Sequence, residues 1–208
     1  MPRPRFEKLS AEKQTRILEA AAKEFAVHGY EAASLNRILE QAEISKGAAY
    51  YYFDDKADLY TTTLHHYLEA LWAELPFDID RFSADHFWSE VTALYQYLFT
   101  RYHERPWALG ITKAGGPLPA ISLLEGPLAD LRDSAEGLMA QILKRGRDLG
   151  LIRDDLPDDL LQLLVMGVDD AQDRWFYAHR DEMSDADIAA AAHRRTDTLR
   201  RLLAPATV

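Results

Sequence analysis

Between Ser34 and Lys56 the chain reads SLNRILEQAEISKGAAYYYFDDK, and this stretch limits the fold more than any other. Ser34 is placed to cap a helix in which Leu35, Ile38 and Leu39 share one apolar face. Ala42-Glu43-Ile44 leaves room only for a turn. Ser45 then caps a second helix, with Ile44 set to pack on Ala49 as a staple. Two short helices around a tight turn make a helix-turn-helix, a unit that offers the N-terminal residues of its second helix to a groove of DNA.

The second helix is unusual for a structural one. Gly47, Ala48 and Ala49 are small, so its backbone can lie close to another surface. Lys46 sits in the first turn, where the helix dipole disfavours a cation, and that placement points to an anionic partner. Tyr50, Tyr51 and Tyr52 point in three directions and cannot all enter a core; an outward phenol can hydrogen-bond a phosphate oxygen. Lys56 opens the next helix and is expected at the same DNA strand. Each residue alone also fits a plain helical hairpin, and the combination is what favours DNA.

The same residues carry a family resemblance. Ile17-Leu18, Ala20-Ala21, Phe25, Gly29-Tyr30, Ser34, Ile38, Ala42, Ile44-Ser45-Lys46-Gly47, Tyr50, Tyr52-Phe53, Lys56 and Leu59 fall at spacings that resemble the DNA-binding domain of TetR-family transcriptional regulators. The resemblance covers about a quarter of the chain. It implies an all-α fold, with an N-terminal three-helix helix-turn-helix domain joined to a C-terminal helical bundle that binds ligand and dimerises. It further implies a homodimeric repressor released from a palindromic operator by a small molecule, with Ser34, Ser45, Lys46, Gly47, Ala48, Tyr50, Tyr51 and Lys56 at the DNA. Two residues depart from the pattern. Glu43 stands where the family has glycine in the turn, so a left-handed backbone there costs about 1 kcal/mol. Leu39 replaces a customary alanine and asks for local repacking.

A net charge of −10 over 208 residues argues against nucleic acid until its distribution is read. Residues 1–56 hold nine basic and nine acidic side chains, leaving 15 and 25 for the rest, so the first segment is neutral and the remainder carries the whole excess. A DNA-binding head needs to be positive only along its contact face. The division expected is a DNA-binding domain over 1–56, with a flexible arm at 1–9, and an effector-binding and dimerisation domain over 57–208. The chain has no cysteine, which excludes a disulfide framework and thiolate chemistry and fits a cytoplasmic localisation. No apolar run reaches membrane-spanning length and no signal-peptide core is evident, so no membrane association is expected.

Along the chain, Arg3 and Arg5 in the arm are candidates for phosphate or minor-groove contact, set against a simple disordered tail. Ser10 to His28 reads as a helix with Ile17, Ala21 and Phe25 stacked, ended by Gly29. A helix from Lys56 to about Leu75 follows; the adjacent His65 and His66 face different ways and are not read as a metal site. From residue 76 onward the periodicity is helical throughout. Ala84–Tyr102 carries an aromatic stripe. With Trp72, Trp88, Tyr95, Phe99, Tyr102, Trp107 and Met139 facing inward, the body can enclose an apolar or aromatic ligand, a reading owed mostly to the resemblance; helical stripes of this kind more often form plain core. A further helix is expected from Pro127 to Gly150, with Gly150 at its C′ position.

From Leu160 to Ala178 apolar residues occupy two faces, and a helix of this kind must be covered on both. With the last helix, Asp185 to Leu203, it is expected to form a four-helix dimer interface through Leu161, Val165, Val168, Trp175, Phe176, Ala189, Ala192 and Leu199. Asp169 and Asp173 repel at i, i+4 while Asp170 attracts Arg174. The three acids are expected to face solvent or to pair with Arg194 and Arg195 across the interface, the alternative being a cationic ligand.

Helix bundles also hold di-iron sites, but none of the seven histidines follows an acid by three residues, and phosphate-loop and nucleophile-elbow patterns are absent. No catalytic residue, metal or cofactor is expected. Two rivals remain: a cofactorless helical enzyme with an aromatic pocket, which predicts turnover without DNA affinity, and an architectural DNA-binding protein, which predicts binding insensitive to sequence and small molecules.

Overall fold

The computed structural model describes residues 2–73, 75–104 and 129–205, and among these every regular element is helical. The helices are α1 (Pro4–Glu7), α2 (Ala11–Ala32), α3 (Leu35–Gln41), α4 (Lys46–Tyr52), α5 (Lys56–Ala73), α6 (Phe87–Glu104), α7 (Ala129–Asp148), α8 (Asp158–His179) and α9 (Asp185–Leu203). Short 3-10 turns lie at Ile79–Arg81 and Arg180–Glu182. No helix among the described residues is long and apolar enough to cross a membrane.

The chain forms two compact units, one reaching to Leu75, the other holding Pro76–Glu104 and Ser134 onward. In the first, Ile17, Leu18, Ala21 and Phe25 of α2 meet Ile38 of α3, Phe53, and Leu59, Tyr60 and Leu64 of α5 in one dry cluster. Each large side chain so buried contributes on the order of 1.5–3 kcal/mol. Half of α5 thus belongs to this core, although the charge division placed it with the body. Ser10 caps α2 by accepting from the Lys13 N–H. Gly29, at φ 69° and ψ 168°, breaks the helix where a side chain would be strained.

The N-terminal arm, expected to be loose, is instead docked. Phe6 of α1 is buried, its ring 4.9 Å from that of Phe53 and 6.4 Å from that of Tyr52. The Arg3 N–H donates to the Tyr52 carbonyl at 2.9 Å. One aromatic anchor offsets the entropy of ordering so short a segment.

In the second unit α6 packs along α9. Phe87, Val91, Tyr95 and Phe99 meet Ile188, Ala192, Leu199 and Leu203, with Leu143 of α7 and Leu161, Val165 and Phe176 of α8 closing the core. The Phe99 and Phe176 rings stack 4.3 Å apart at 9°. A Cβ at Gly146 of α7 would lie 2.8 Å from Phe87 Cζ and closer still to Ile152, so only glycine admits these neighbours. Gly150 adopts φ 69° just past α7, the C′ geometry expected of it.

The face of α8 expected at a dimer interface needs correction. Leu161, Val165 and Phe176, with Ala192 and Leu199 of α9, are buried inside the chain's own core, while Val168 and Ala189 are half-buried. Of the α8 residues expected there, Trp175 is the exposed one, and it stands with Leu160, Leu163, Leu164 and Met166 on the surface. Periodicity finds both faces of a doubly apolar helix but cannot say which one the chain itself covers.

Candidate nucleic-acid interface

Local capping builds the recognition unit. Ser34 Oγ accepts from the Arg37 N–H at 3.4 Å and Ser45 Oγ from the Ala48 N–H at 3.2 Å, so each hydroxyl satisfies an otherwise orphaned donor of its helix. The turn closes through Ala42 N–H to Ile38 O at 2.9 Å and Ile44 N–H to Leu39 O at 3.0 Å. Glu43 takes φ 53°, the left-handed conformation anticipated at this glycine-favouring position, and its carboxylate pairs with Arg16 at 2.9 Å. Leu39 is accommodated in full burial, as is Ile38.

Behind α3 lies a carboxylate that no motif in the sequence marks. Glu24 of α2 is buried and accepts from Arg37 Nη2 at 2.6 Å, Arg37 Nε at 2.9 Å and the Ser34 N–H at 2.7 Å. Burial alone would push its carboxyl up; the Arg37 hydrogen bond and the Ser34 amide outweigh that and hold it below the ordinary carboxylate range. The alternation of acids and bases along α2 hid it, because one member of that series points inward.

Only Ala49 of α4 is fully buried. Ser45, Lys46, Gly47, Tyr50 and Tyr51 are exposed, with both tyrosines at 47%, and Ala48 is half-buried. Tyr52 turns inward against the core. A Cβ at Gly47 would meet nothing closer than Ser45 Oγ at 4.0 Å, so no internal neighbour requires glycine there. Among the described residues none holds the Lys46 ammonium. The Arg5 guanidinium stacks 4.0 Å from the Tyr51 ring centroid. Arg3, a candidate for phosphate contact, is committed within the protein: Nη1 donates to Tyr50 O at 2.7 Å and Nε to Asp54 Oδ1 at 2.8 Å. Lys56, also expected at the DNA, has its Nζ donating to Tyr30 O at 2.8 Å.

A model of the bacterial regulatory proteins of the tetR family matches residues 17–62, which span α3, α4 and the helices that brace them. Residues 17–62 thus carry the DNA-binding region of the tetR family. The chain is 36% identical over 73 residues to the HTH-type transcriptional regulator HbdR of Aromatoleum sp., a match that covers 35% of this chain and 32% of HbdR. It is 36% identical over 67 residues to the HTH-type transcriptional repressor SCO4008 of Streptomyces coelicolor, covering 32% of this chain and 35% of that one. The matched segment therefore spans about a third of these curated relatives. Among solved structures, FadR of Bacillus subtilis in complex with stearoyl-CoA superposes with a TM-score of 0.73 at 18% identity, over 89% of this chain and 96% of FadR. SmeT, the repressor of the Stenotrophomonas maltophilia multidrug efflux pump SmeDEF, gives 0.67 at 17%, over 96% and 92%. These two likenesses establish the fold.

The expected ligand residues among those described lie in or against the core of the second unit. Tyr95 and Phe99 are core residues; Trp88, Tyr102 and Met139 are half-buried against that core. Trp107 and the Trp72 side chain lie outside the described residues. What Tyr95 and Phe99 share is Arg195, 3% exposed, whose guanidinium carbon sits 5.0 and 4.4 Å from their ring centroids. Arg195 Nη2 donates to Asp173 Oδ1 at 2.6 Å, Nη1 lies 3.7 Å from Asp169 Oδ1, and the Tyr95 hydroxyl donates to Asp169 at 3.0 Å. The Asp169 and Asp173 repulsion read from spacing is thus resolved within the chain. Burial disfavours the Arg195 charge, but Asp173 and Asp169 outweigh it and hold the guanidinium above its usual range. Asp170 pairs with Arg174 at 2.7 Å. A groove of about 400 Å³ runs between α8 and α9, lined by Phe99, Gln172, Trp175, Phe176, Arg194 and Thr198 among others.

Proposed function

We propose that this chain is a homodimeric, cytoplasmic transcriptional regulator that binds a two-fold symmetric DNA site through α4, acting as a repressor released by a small apolar or aromatic ligand. The observation that carries the DNA reading is Gly47. A glycine inside a helix costs about 1 kcal/mol relative to alanine, and nothing among the described residues requires it. Its reason lies outside, in a surface that approaches the backbone closely. Lys46, Tyr50 and Tyr51 flank that spot, with donors suited to phosphates and base edges, and Ser34 and Ser45 present helix N-termini to the same anion.

The dimer reading draws on α8, whose exposed Leu160, Leu163, Leu164, Met166 and Trp175 would lie uncovered on a monomer, with Leu163 at 64%. A second copy covering them would set two heads on the half-sites of one palindrome. The ligand reading draws on the aromatic second unit and on the fold shared with FadR, solved with stearoyl-CoA.

Gly47→Ala separates the DNA reading from its rivals. The variant should be as stable as the parent or more so, by up to about 1 kcal/mol, while affinity for the selected operator falls about tenfold or more. Thermal melting and fluorescence anisotropy measure the two. Unchanged affinity would remove α4 from the interface. For the assembly, sedimentation should give twice the chain mass, and Leu163→Asp should halve it.

A further inference from the structure

The side chain at the neck of the helix-turn-helix is Lys56. Its Nζ donates to the carbonyls of Tyr30 at 2.8 Å, Glu31 at 3.1 Å and Ala33 at 3.4 Å. These are carbonyls at the end of α2, past the break at Gly29, where the helix leaves its last acceptors without intrahelical partners. An ammonium has three N–H donors, and here all three are matched. The same nitrogen sits 4.7 Å over the Tyr30 ring, whose face adds a further attraction for a cation. A lysine so engaged has no proton left for a phosphate oxygen unless it first leaves this nest.

Its place along the chain matters as much. Ala33 immediately precedes the Ser34 cap of α3, so it is the point where the chain enters the helix-turn-helix. Lys56 is the first residue of α5, the point where the chain has left it. One side chain therefore ties entry to exit across the base of α3 and α4. Glu24 holds α3 from behind through Arg37 and Ser34, and Arg3 holds the end of α4 through Tyr50 O; Lys56 completes the set by closing the loop itself.

We propose that Lys56 is a positioning residue that clasps the neck of the helix-turn-helix and sets the angle at which α4 is presented, rather than a ligand of the DNA backbone. The inference rests on the DNA reading above, and its test separates the two. Lys56→Met keeps the aliphatic stem and removes the ammonium. Affinity for the selected operator should fall about tenfold, because the positioning of α4 loosens, while affinity for random duplex stays within about twofold. The slope of log affinity against log salt should not change, since no phosphate contact is lost. Lys56→Arg, which retains charge and donors, should return operator affinity to within about threefold of the parent.

Hydrogen exchange on the full chain gives a readout that needs no DNA. Amides of α3 and α4 should exchange about tenfold faster in Lys56→Met, with the buried stretch of α2 from Ile17 to Phe25 unaffected. A fall in operator and random-duplex affinity alike, with the slope reduced by about 0.9, makes Lys56 a phosphate ligand and overturns the proposal. A lowered melting temperature with unchanged operator affinity of the folded protein reduces it to a stabilising contact and also overturns it. A parent protein that selects no symmetric site defeats the DNA reading instead; the exchange rates of α3 and α4 then decide the clasp, and unchanged rates refute it.

Discussion

Each unit buries an acid–arginine cluster, and the two are built in opposite senses. In the first the carboxylate is inside and the guanidinium outside: Glu24 is 3% exposed at its side chain, Arg37 49%. In the second the guanidinium is inside, Arg195 at 3%, and two carboxylates, Asp169 and Asp173, reach in to it at 19% and 11%. A buried carboxylate can take backbone N–H donors as well as a guanidinium, and Glu24 does so at the start of α3, so its charge holds a helix terminus in place. A buried guanidinium can lie flat against rings, and Arg195 does so on Tyr95 and Phe99, so its charge is embedded in the aromatic core. The first arrangement fixes an orientation; the second fills an interior.

If that contrast is right, the greatest loss follows removal of the fully enclosed charge. Arg195→Met should destabilise the second unit by about 3–5 kcal/mol, because Asp169 and Asp173 lose the guanidinium charge they share. Urea denaturation followed by circular dichroism reads it, and a cost below about 1 kcal/mol would erase the distinction. Glu24→Gln should cost less, about 2 kcal/mol, since the amide can still accept from the Ser34 N–H. It should also change the pH profile. The Glu24 carboxyl is more acidic folded than unfolded, so its contribution is complete above the ordinary value of 4.5 and is lost as pH falls through the folded value. The parent should lose this increment in acid, and Glu24→Gln should show a correspondingly flatter profile in stability measured from pH 7 to pH 3. Smallest is the exposed pair Arg16–Glu43, at 40% and 74%. Glu43→Gly gives up that contact but relieves the positive φ, for a net gain of about 0.5 kcal/mol by thermal melting. A loss there would mean that exposed ion pairs matter more in this unit than burial implies.

The parts of the fold written in local chemistry were legible in the sequence. Ser34 and Ser45 as caps, Gly29 and Gly150 as helix ends, the left-handed turn at Glu43 and the bounds of α9 all follow from what a residue does to its own backbone. The parts that depend on a distant partner were not. α1 was missed because its four residues are ordered by partners distant in sequence, Phe6 on Phe53 and Tyr52 and the neighbouring Arg3 on Tyr50 and Asp54. A lysine looks the same in sequence whether it meets a phosphate or three carbonyls, and the carbonyls that Lys56 meets belong to a segment much earlier in the chain. Leu161, Val165 and Phe176 of α8 were placed at a dimer face because both its sides are apolar and only the packing of α9 and α6 decides which side the chain itself covers. Tyr95 and Phe99 were grouped as pocket lining, and Arg195, which fills the space between them and the acids, lies a hundred residues further on.

The docking of α1 has a practical consequence. Arg3 grips the last turn of α4 and Phe6 is lodged beneath it, so anything fused ahead of residue 2 pulls on the element that would read the operator. Affinity handles, fluorescent partners and surface-tethering linkers belong at the other terminus, and binding sites selected with a bulky leader should be measured again once it has been cleaved.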